Sequence, residues 1–535
     1  MLMSGVRGRK SEPNHRPRRP RFTFGSVDFG EDDANLDYEL AQRRSQEPIF
    51  IQAFLDYPQF NLPALKTGEK YLVLGQKGTG KTAILRKIES EFQKAQAITQ
   101  FMIFRDEIAS KEELEKFGNV FAIKVNDVKR IYHYLYTLER ILLLVILSSL
   151  QEVASEASER LDPPGKTSGD QWEAGFIHRM VTKVVRQPLE RVVQTALDTV
   201  SDYVSALSID PARASRGLAE IDADVLLRKQ NERLLNVCLA GLRKAQRPVK
   251  IFIDEVHYTY RIGKDHDQDA SLVRDLIRVI ARLNRTFSRE RVDCTLYAAI
   301  RSEFLIHPLI SAAELHPTLD TFGIQISWAT YPADFSHPMF EIGAKRVDIA
   351  ANQNFDGRKF MHACFANYAP QDATEFVRST WSKPRDMVRF LRTCKEMYPQ
   401  KITLSKTEYA AVFHAAAIKA WKEIETALTS FLSMKGVERL TVFISENSSQ
   451  SLGKGSIGTI DEVLKKLAPI AKNETQVGAM SDPATLFRLL YMIGVMSTVR
   501  QDSGQLIIHS YHRGQVNPDP AGRVAIHRGV AKSFS

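Results

Sequence analysis

The eight residues Gly75-Gln76-Lys77-Gly78-Thr79-Gly80-Lys81-Thr82 constrain this chain more than any others. They fill the pattern G-x-x-x-x-G-K-[ST] at every fixed position, and that pattern has a mechanical meaning between a strand and a helix. Both flanks comply. Lys70-Tyr71-Leu72-Val73-Leu74 reads as a buried strand, and Ala83-Ile84-Leu85-Arg86-Lys87-Ile88-Glu89 as a helix. A glycine-rich turn at a helix N-terminus offers unpaired N–H groups and the positive end of the helix dipole to an anion. The expected anion is the polyphosphate of a nucleoside triphosphate, cradled by all eight residues. Lys81 is expected to reach the β- and γ-phosphates, and the Thr82 hydroxyl to bind Mg²⁺.

A second chemical element lies at Pro248-Val249-Lys250-Ile251-Phe252-Ile253-Asp254-Glu255. Apolar residues around Lys250 suit a central parallel strand covered on both faces. At its end, Asp254 is expected to orient Mg²⁺ through the ion's water shell, and Glu255 to act as general base on the attacking water. No N-K-x-D guanine-reading motif occurs, which favours ATP over GTP. The next strand, Cys294–Ile300, delivers Arg301. There it reads either as a sensor of the γ-phosphate or as a structural arginine at a sheet edge.

Further along, Ser382 reads as the N-cap of a helix with Pro384 in its first turn. That places Arg385 at a helix N-terminus, where the dipole disfavours a cation unless an anion is close. A lid arginine reaching the nucleotide phosphates meets that condition. Arg274, Arg278, Arg282 and Arg285 recur three or four apart on a helix from about Ala270 to Ser288. They form either a salt-bridged face or a surface offering an arginine to another subunit.

The chain has 535 residues, room for about three domains at ~150 residues each. Residues 1–21 form a basic tail expected to be disordered. The core is expected over 22–335, with its sheet from about 65. A large helical insertion occupies about 127–245, with candidate helices at 127–156, 171–206 and 222–245, because a βαβ unit needs only about 30 residues. Phe22 and Phe24 precede the core and read as either base contacts or core aromatics. A helical lid is expected at 336–440 and a winged-helix-like domain at 441–535. Within that last domain the stretch 446–456 reads as a linker. The segments 493–499 and 505–514 read as a ribbon, and Arg523–Arg528 as the entry to a last helix. His509, His512, Arg513, His527 and Arg528 would give the ribbon a cationic face.

The net charge is +10, and the tail supplies +6 of it, seven cations against Glu12. Bulk charge is therefore a weak pointer to nucleic acid, although the tail or the ribbon offers a DNA contact. The four cysteines form no C-x-x-C pair, as expected in a reducing cytosol. The apolar run Ile141–Leu147 is too short to span a bilayer, so no membrane partner and a cytoplasmic location are expected.

Together, Gly75–Thr82, Ile251–Glu255 with Arg301, and Lys383-Pro384-Arg385-Asp386 resemble the AAA+ and STAND branches of P-loop ATPases. These include origin-recognition-type proteins with a proline-arginine sensor helix. The opening Phe24-Gly25-Ser26-Val27-Asp28 and Glu31-Asp32-Asp33 resemble a bacterial AAA+/STAND-like family often found beside defence genes. The resemblance covers roughly 22–400. It implies an α/β fold with a three-layer P-loop NTPase core, a parallel sheet, a helical insertion, a helical lid and a winged-helix-like end. It also implies ATP and Mg²⁺ as cofactors and hydrolysis driving a conformational switch in signalling or anti-phage defence, with a homo-oligomer or an effector protein as partner. A DNA-handling ATPase and a nucleotide-binding scaffold with little hydrolysis are the alternatives.

Overall fold

The structure is a computed structural model. It describes residues 23–104, 123–126, 129–131, 134–150, 191–192, 195, 219–256, 265–306, 310, 315–328, 331–350, 356–366, 371–429, 431–451, 455–473, 481–503, 505–513, 515 and 517–534. The basic tail, Phe22, the loop at 161–170 and almost all of the candidate helix 171–206 lie outside the described residues.

The fold is α/β. Strands β1 (Leu72–Gly75), β2 (Ile98–Ile103), β5 (Val249–Asp254), β6 (Cys294–Arg301) and β7 (Gly323–Gln325) form one five-stranded sheet in the order β2-β5-β6-β1-β7. Every neighbouring pair is parallel. The sequence dictates this placement. β1 and β5 are buried along their whole length and β6 for all but its last residue, as strands covered on both faces must be. The shorter β7 and the half-polar β2 take the edges.

The helices of this region come from both sides of β5 in sequence. They are α1 (Ala34–Arg43), α2 (Lys81–Lys94), α3 (Leu135–Leu150), α4 (Ala219–Ala245) and α5 (Asp265–Arg289). α2 packs on β1, β2, β5 and β6, α3 on β2 and β5, and α5 on β6, an arrangement compatible with three layers. In α3, every residue from Ile141 to Leu147 is fully buried in this core. None of the described helices is long and apolar enough to cross a membrane. β3 (Ile123–Asn126), just before the expected insertion, and β4 (Lys129–Ile131), inside it, form an antiparallel pair outside the main sheet, so the insertion is not helical at its start. The alternation Ile-Lys-Val-Asn in β3 is a strand pattern.

A second hydrophobic cluster belongs to α6 (Pro338–Ala350), α7 (Gly357–Ala366), α8 (Gln371–Ser379), α9 (Pro384–Met397) and the first half of α10 (Lys406–Leu428). The N-terminal segment packs here, with Phe24, Val27 and Phe29 fully or almost fully buried. Phe24 meets Phe360 edge-on at 5.5 Å, so it is a core aromatic and not a base contact.

The chain ends in α11 (Met434–Glu446), α12 (Ile460–Lys472) and α13 (Pro483–Met492), with a small antiparallel sheet and α14 (Arg528–Lys532). The sheet runs β10 (Gln505–His509), β9 (Met496–Asp502), β11 (Arg523–Ile526), β8 (Gly458–Thr459). Arg523–Ile526 is therefore a strand, with Val524, Ala525 and Ile526 all fully buried, and the helix starts only at Arg528. The expected linker is also tied down, since Ser451 bridges to Ile526.

Candidate functional site

In an open parallel sheet, loops that can hold a ligand gather at the carboxyl ends of the strands. Register places Gly75 of β1 opposite Arg301 of β6, and Asp254 ends β5 on the other side of β6. The glycine-rich loop, Asp254 and Arg301 therefore share one edge. An open cleft of about 930 Å³ lies there, and Lys77, Gly78, Gly80, Lys81, Thr82, Asp254, Glu255, Arg301 and Arg385 all line it. Nearly every expected site residue is thus brought together. Gly75, Gln76 and Thr79 hold the loop from beneath.

Gly80 caps α2 at φ +98°, a left-handed conformation that suits glycine and turns the first N–H groups of the helix toward the cleft. The Thr79 hydroxyl donates to the Gln76 carbonyl at 2.8 Å, and Trp328 Nε1 donates to the Thr79 carbonyl at 3.1 Å. Gln76 Nε2 donates to the Met492 carbonyl at the end of α13, so the last part of the chain braces the loop. Lys81 Nζ donates to the carbonyls of Gly75 and Gln76, both at 2.9 Å, and an ammonium carries a third donor. Burial pushes the Lys81 pKa down to about 8, against the opposing pull of Glu303. An anion beside it would favour the charged form.

Beside the lysine, the Thr82 hydroxyl donates to Asp254 Oδ2 at 2.7 Å. Asn35 on α1 donates to the same oxygen at 3.4 Å, and Arg86 holds Asn35 in turn. A hydroxyl and a carboxylate in contact suit a hard cation that takes its remaining ligands from water and phosphate. Thr82 and Asp254 therefore fit Mg²⁺. Glu255 follows in the left-handed region at φ +51°, its N–H donating to Asp254 Oδ1 at 2.8 Å. A bulky residue held in that region is an outlier of the kind found at functional sites.

The far side of the loop is cationic. Arg301 is nearly buried, and its Nε and Nη2 have no hydrogen-bond acceptor among the described residues. Its contact with Glu303 is 3.6 Å, an ion pair beyond hydrogen-bond reach. Glu303 also accepts the Lys77 N–H at 3.2 Å. Burial works to raise its pKa, but Arg301 and Lys81 outweigh burial and hold it low. Arg385 Nε is another buried donor that finds no acceptor among the described residues. Desolvated guanidinium donors at one cleft fit an anion with several oxygens.

Sequence reasoning placed an anion beside Arg385, and the structure supplies carboxylates of the same chain. Arg385 pairs with Asp33 at 3.1 Å and with Glu423. The acidic run is a ladder along α9: Asp33 meets Arg385, Asp32 meets Arg389 at 3.2 Å, and Glu31 meets Arg392. The N-cap of α9 is Lys383 and not Ser382. Ser382 sits at φ +56° in the turn out of α8, and Asp386 accepts the Lys383 N–H at 3.1 Å in place of a serine cap.

Asn35, Glu303 and Glu423 were missed. Glu303 lies two residues after Arg301, within a stretch the sequence singled out. Glu423 carries no local signal, being one acid among many on a long helix. The arginine face of α5 is divided: Arg274 is buried and pairs with Asp275 at 2.8 Å, Arg282 pairs with Glu139 at 2.7 Å, and Arg278 and Arg285 stay exposed. Three of the five residues expected on a cationic ribbon face are taken up elsewhere, while His509 stays partly exposed. His527 and His512 are buried, His527 stacks on Trp381 at 4.8 Å, and Arg528 pairs with Glu375. Aromatic rings at a junction with the helical region bury before they meet solvent.

No family model matches this sequence, and comparison with curated proteins gives no match.

Proposed function

We propose that this chain binds ATP with Mg²⁺ and hydrolyses it, as an AAA+/STAND-like P-loop ATPase used as a conformational switch in bacterial signalling or defence. The observation that carries the reading is the Thr82–Asp254 contact of 2.7 Å beside Lys81 and Glu255, at the end of a parallel sheet. Backbone N–H groups of the loop and Lys81 would hold the β- and γ-phosphates. Arg301 and Arg385 would take charge that develops on the transferred phosphoryl group. Mg²⁺, held by Thr82 and through water by Asp254, would neutralise the phosphates. Glu255 would accept a proton from the attacking water as the water oxygen bonds the γ-phosphorus and ADP leaves with the electron pair.

The switch follows from where the ligands come from. The loop and Asp254 belong to the sheet, whereas Arg385 belongs to α9 in the other hydrophobic cluster. A nucleotide touching both would tie their relative position to its phosphate count. The C-terminal helices and antiparallel ribbon fit a winged-helix-like module, and the buried His512 and His527 favour its use in packing over DNA contact.

The test is phosphate release from ATP in the presence of Mg²⁺, with and without double- and single-stranded DNA. Hydrolysis independent of DNA and abolished, together with ATP binding, in Lys81→Ala is the expected result. Full ATP affinity in Lys81→Ala would sink the assignment.

A further inference from the structure

We propose that Glu423 sets how strongly this site distinguishes a nucleoside triphosphate from a diphosphate, by holding Lys77 and Arg385 against its own carboxylate. The inference rests on Gly75–Thr82 being a polyphosphate cradle.

Glu423 lies in the second half of α10. That helix joins the two hydrophobic clusters, with Val412 and Phe413 in one and Ala420, Trp421 and Leu428 in the other. Its position is thereby fixed from both sides. The carboxylate is shared three ways. Oε1 takes Lys77 Nζ at 3.3 Å and Arg385 Nη1, and Oε2 takes Arg389 Nη2. Burial works against its charge, but Arg385 and Arg389 outweigh burial and keep it ionised.

A second cavity of about 490 Å³ opens behind Gly78, and Glu423 lines it. Lys77, Gly78, Arg301 and Arg385 line both this cavity and the main cleft. These residues form the partition, with Glu423 on one side and the phosphate cradle on the other. The cations of the partition therefore face two anions. Loop N–H groups and Lys81 serve the phosphates of either nucleotide. The charge that a third phosphate adds beyond what Lys81 meets also draws on Lys77, Arg301 and Arg385, and Lys77 and Arg385 already pair with Glu423. Desolvated cations bind an anion in proportion to the charge left uncompensated. The carboxylate therefore weakens the grip on the third phosphate and leaves the grip on the first two largely untouched.

Glu423→Gln keeps the shape and the acceptor oxygen and removes the charge. The experiment measures ATP and ADP dissociation constants by titration calorimetry with Mg²⁺, on the full chain, for the parent protein, Glu423→Gln and Glu423→Asp. The preference for ATP over ADP is expected to rise about tenfold in Glu423→Gln, as for loss of one close charge in a buried cluster. In Glu423→Asp, which retracts the carboxylate by one methylene, it is expected to rise about threefold. An unchanged or reduced preference in Glu423→Gln overturns the proposal, since a carboxylate that merely positions Arg385 would help the third phosphate. If Glu423→Gln fails to fold, it loses ADP binding as well, and the direction of change in Glu423→Asp decides. A parent protein that binds neither nucleotide overturns the cradle itself. Binding of both with an unmoved ratio overturns only the role of Glu423.

Discussion

The Thr82 hydroxyl and the Asp254 carboxylate meet at 2.7 Å although 172 residues separate them in the chain. The contact exists because β6 lies between β1 and β5, and the parallel register brings all three strand ends to one edge. The pair supplies the only protein ligands the proposed mechanism gives Mg²⁺, so each should matter to metal and less to nucleotide. Asp254→Asn is expected to lower Mg²⁺-dependent phosphate release by about 10²-fold or more, consistent with loss of a charged group that organises the transition state. Nucleotide affinity in the presence of a chelator should change little. A titration of activity against Mg²⁺ concentration checks this, and an unaltered metal dependence would count against the assignment.

Glu255 adjoins that pair in a strained backbone conformation. Glu255→Gln keeps the volume and removes the base. Hydrolysis is expected to fall by about 10²–10⁴-fold, the usual worth of a general base, with ATP affinity retained. Single-turnover hydrolysis beside equilibrium binding separates the two effects. Turnover that is already negligible in the parent protein, and unmoved by the substitution, would instead favour a nucleotide-binding scaffold.

Gly80 tests the geometry of the loop apart from its chemistry. A Cβ at this position meets nothing within 4 Å, so Gly80→Ala creates no clash. Its φ of +98° is the obstacle, because an L-residue there is strained whatever the space around it. The expected cost is about 1–3 kcal/mol, either as lost stability in urea unfolding or as weaker nucleotide binding if the loop relaxes. A variant equal to the parent in both measurements would show that the loop does not hold this conformation.

How much of this was legible in the sequence follows from the kind of signal each residue gives. The sheet strands and the loop were readable because they are local: Leu72–Leu74 is an apolar run, Val249–Ile253 is one broken only by Lys250, and the loop has fixed spacing. The site was legible wherever a functional residue ends such a run, as Asp254 and Arg301 do. Asn35, Glu303 and Glu423 were not, because each acts through tertiary contact and none interrupts a periodic pattern. Arg385 was half legible. Its place in the first turn of a helix required an anion, but only the fold shows that Asp33 and Glu423 are there. His512 and His527 misled for the same reason. Their charge suggested a surface, and both rings are buried, His527 against Trp381 and the two against each other.

His337 gives the fold a pH dependence that can be isolated from the site. Its ring is buried at the start of α6, and Nδ1 accepts the Met339 N–H at 3.3 Å, a role that requires that nitrogen unprotonated. Burial pushes its pKa down to about 4 from the ordinary value of 6.5. The unfolded chain thus takes up a proton as pH falls below 6.5, and the folded chain resists until about pH 4. The contribution of His337 is fully present above the higher value and is lost as pH falls to the lower one. Across that window the loss is about 3 kcal/mol, from the size of the shift. His337→Asn retains an acceptor for Met339 and does not titrate, so its stability should fall less steeply. Urea unfolding of both proteins near neutrality and near the lower value reads the difference directly. Parallel pH profiles would show that the fold leaves the His337 pKa where it is in the unfolded chain, and that another acceptor holds the first turn of α6.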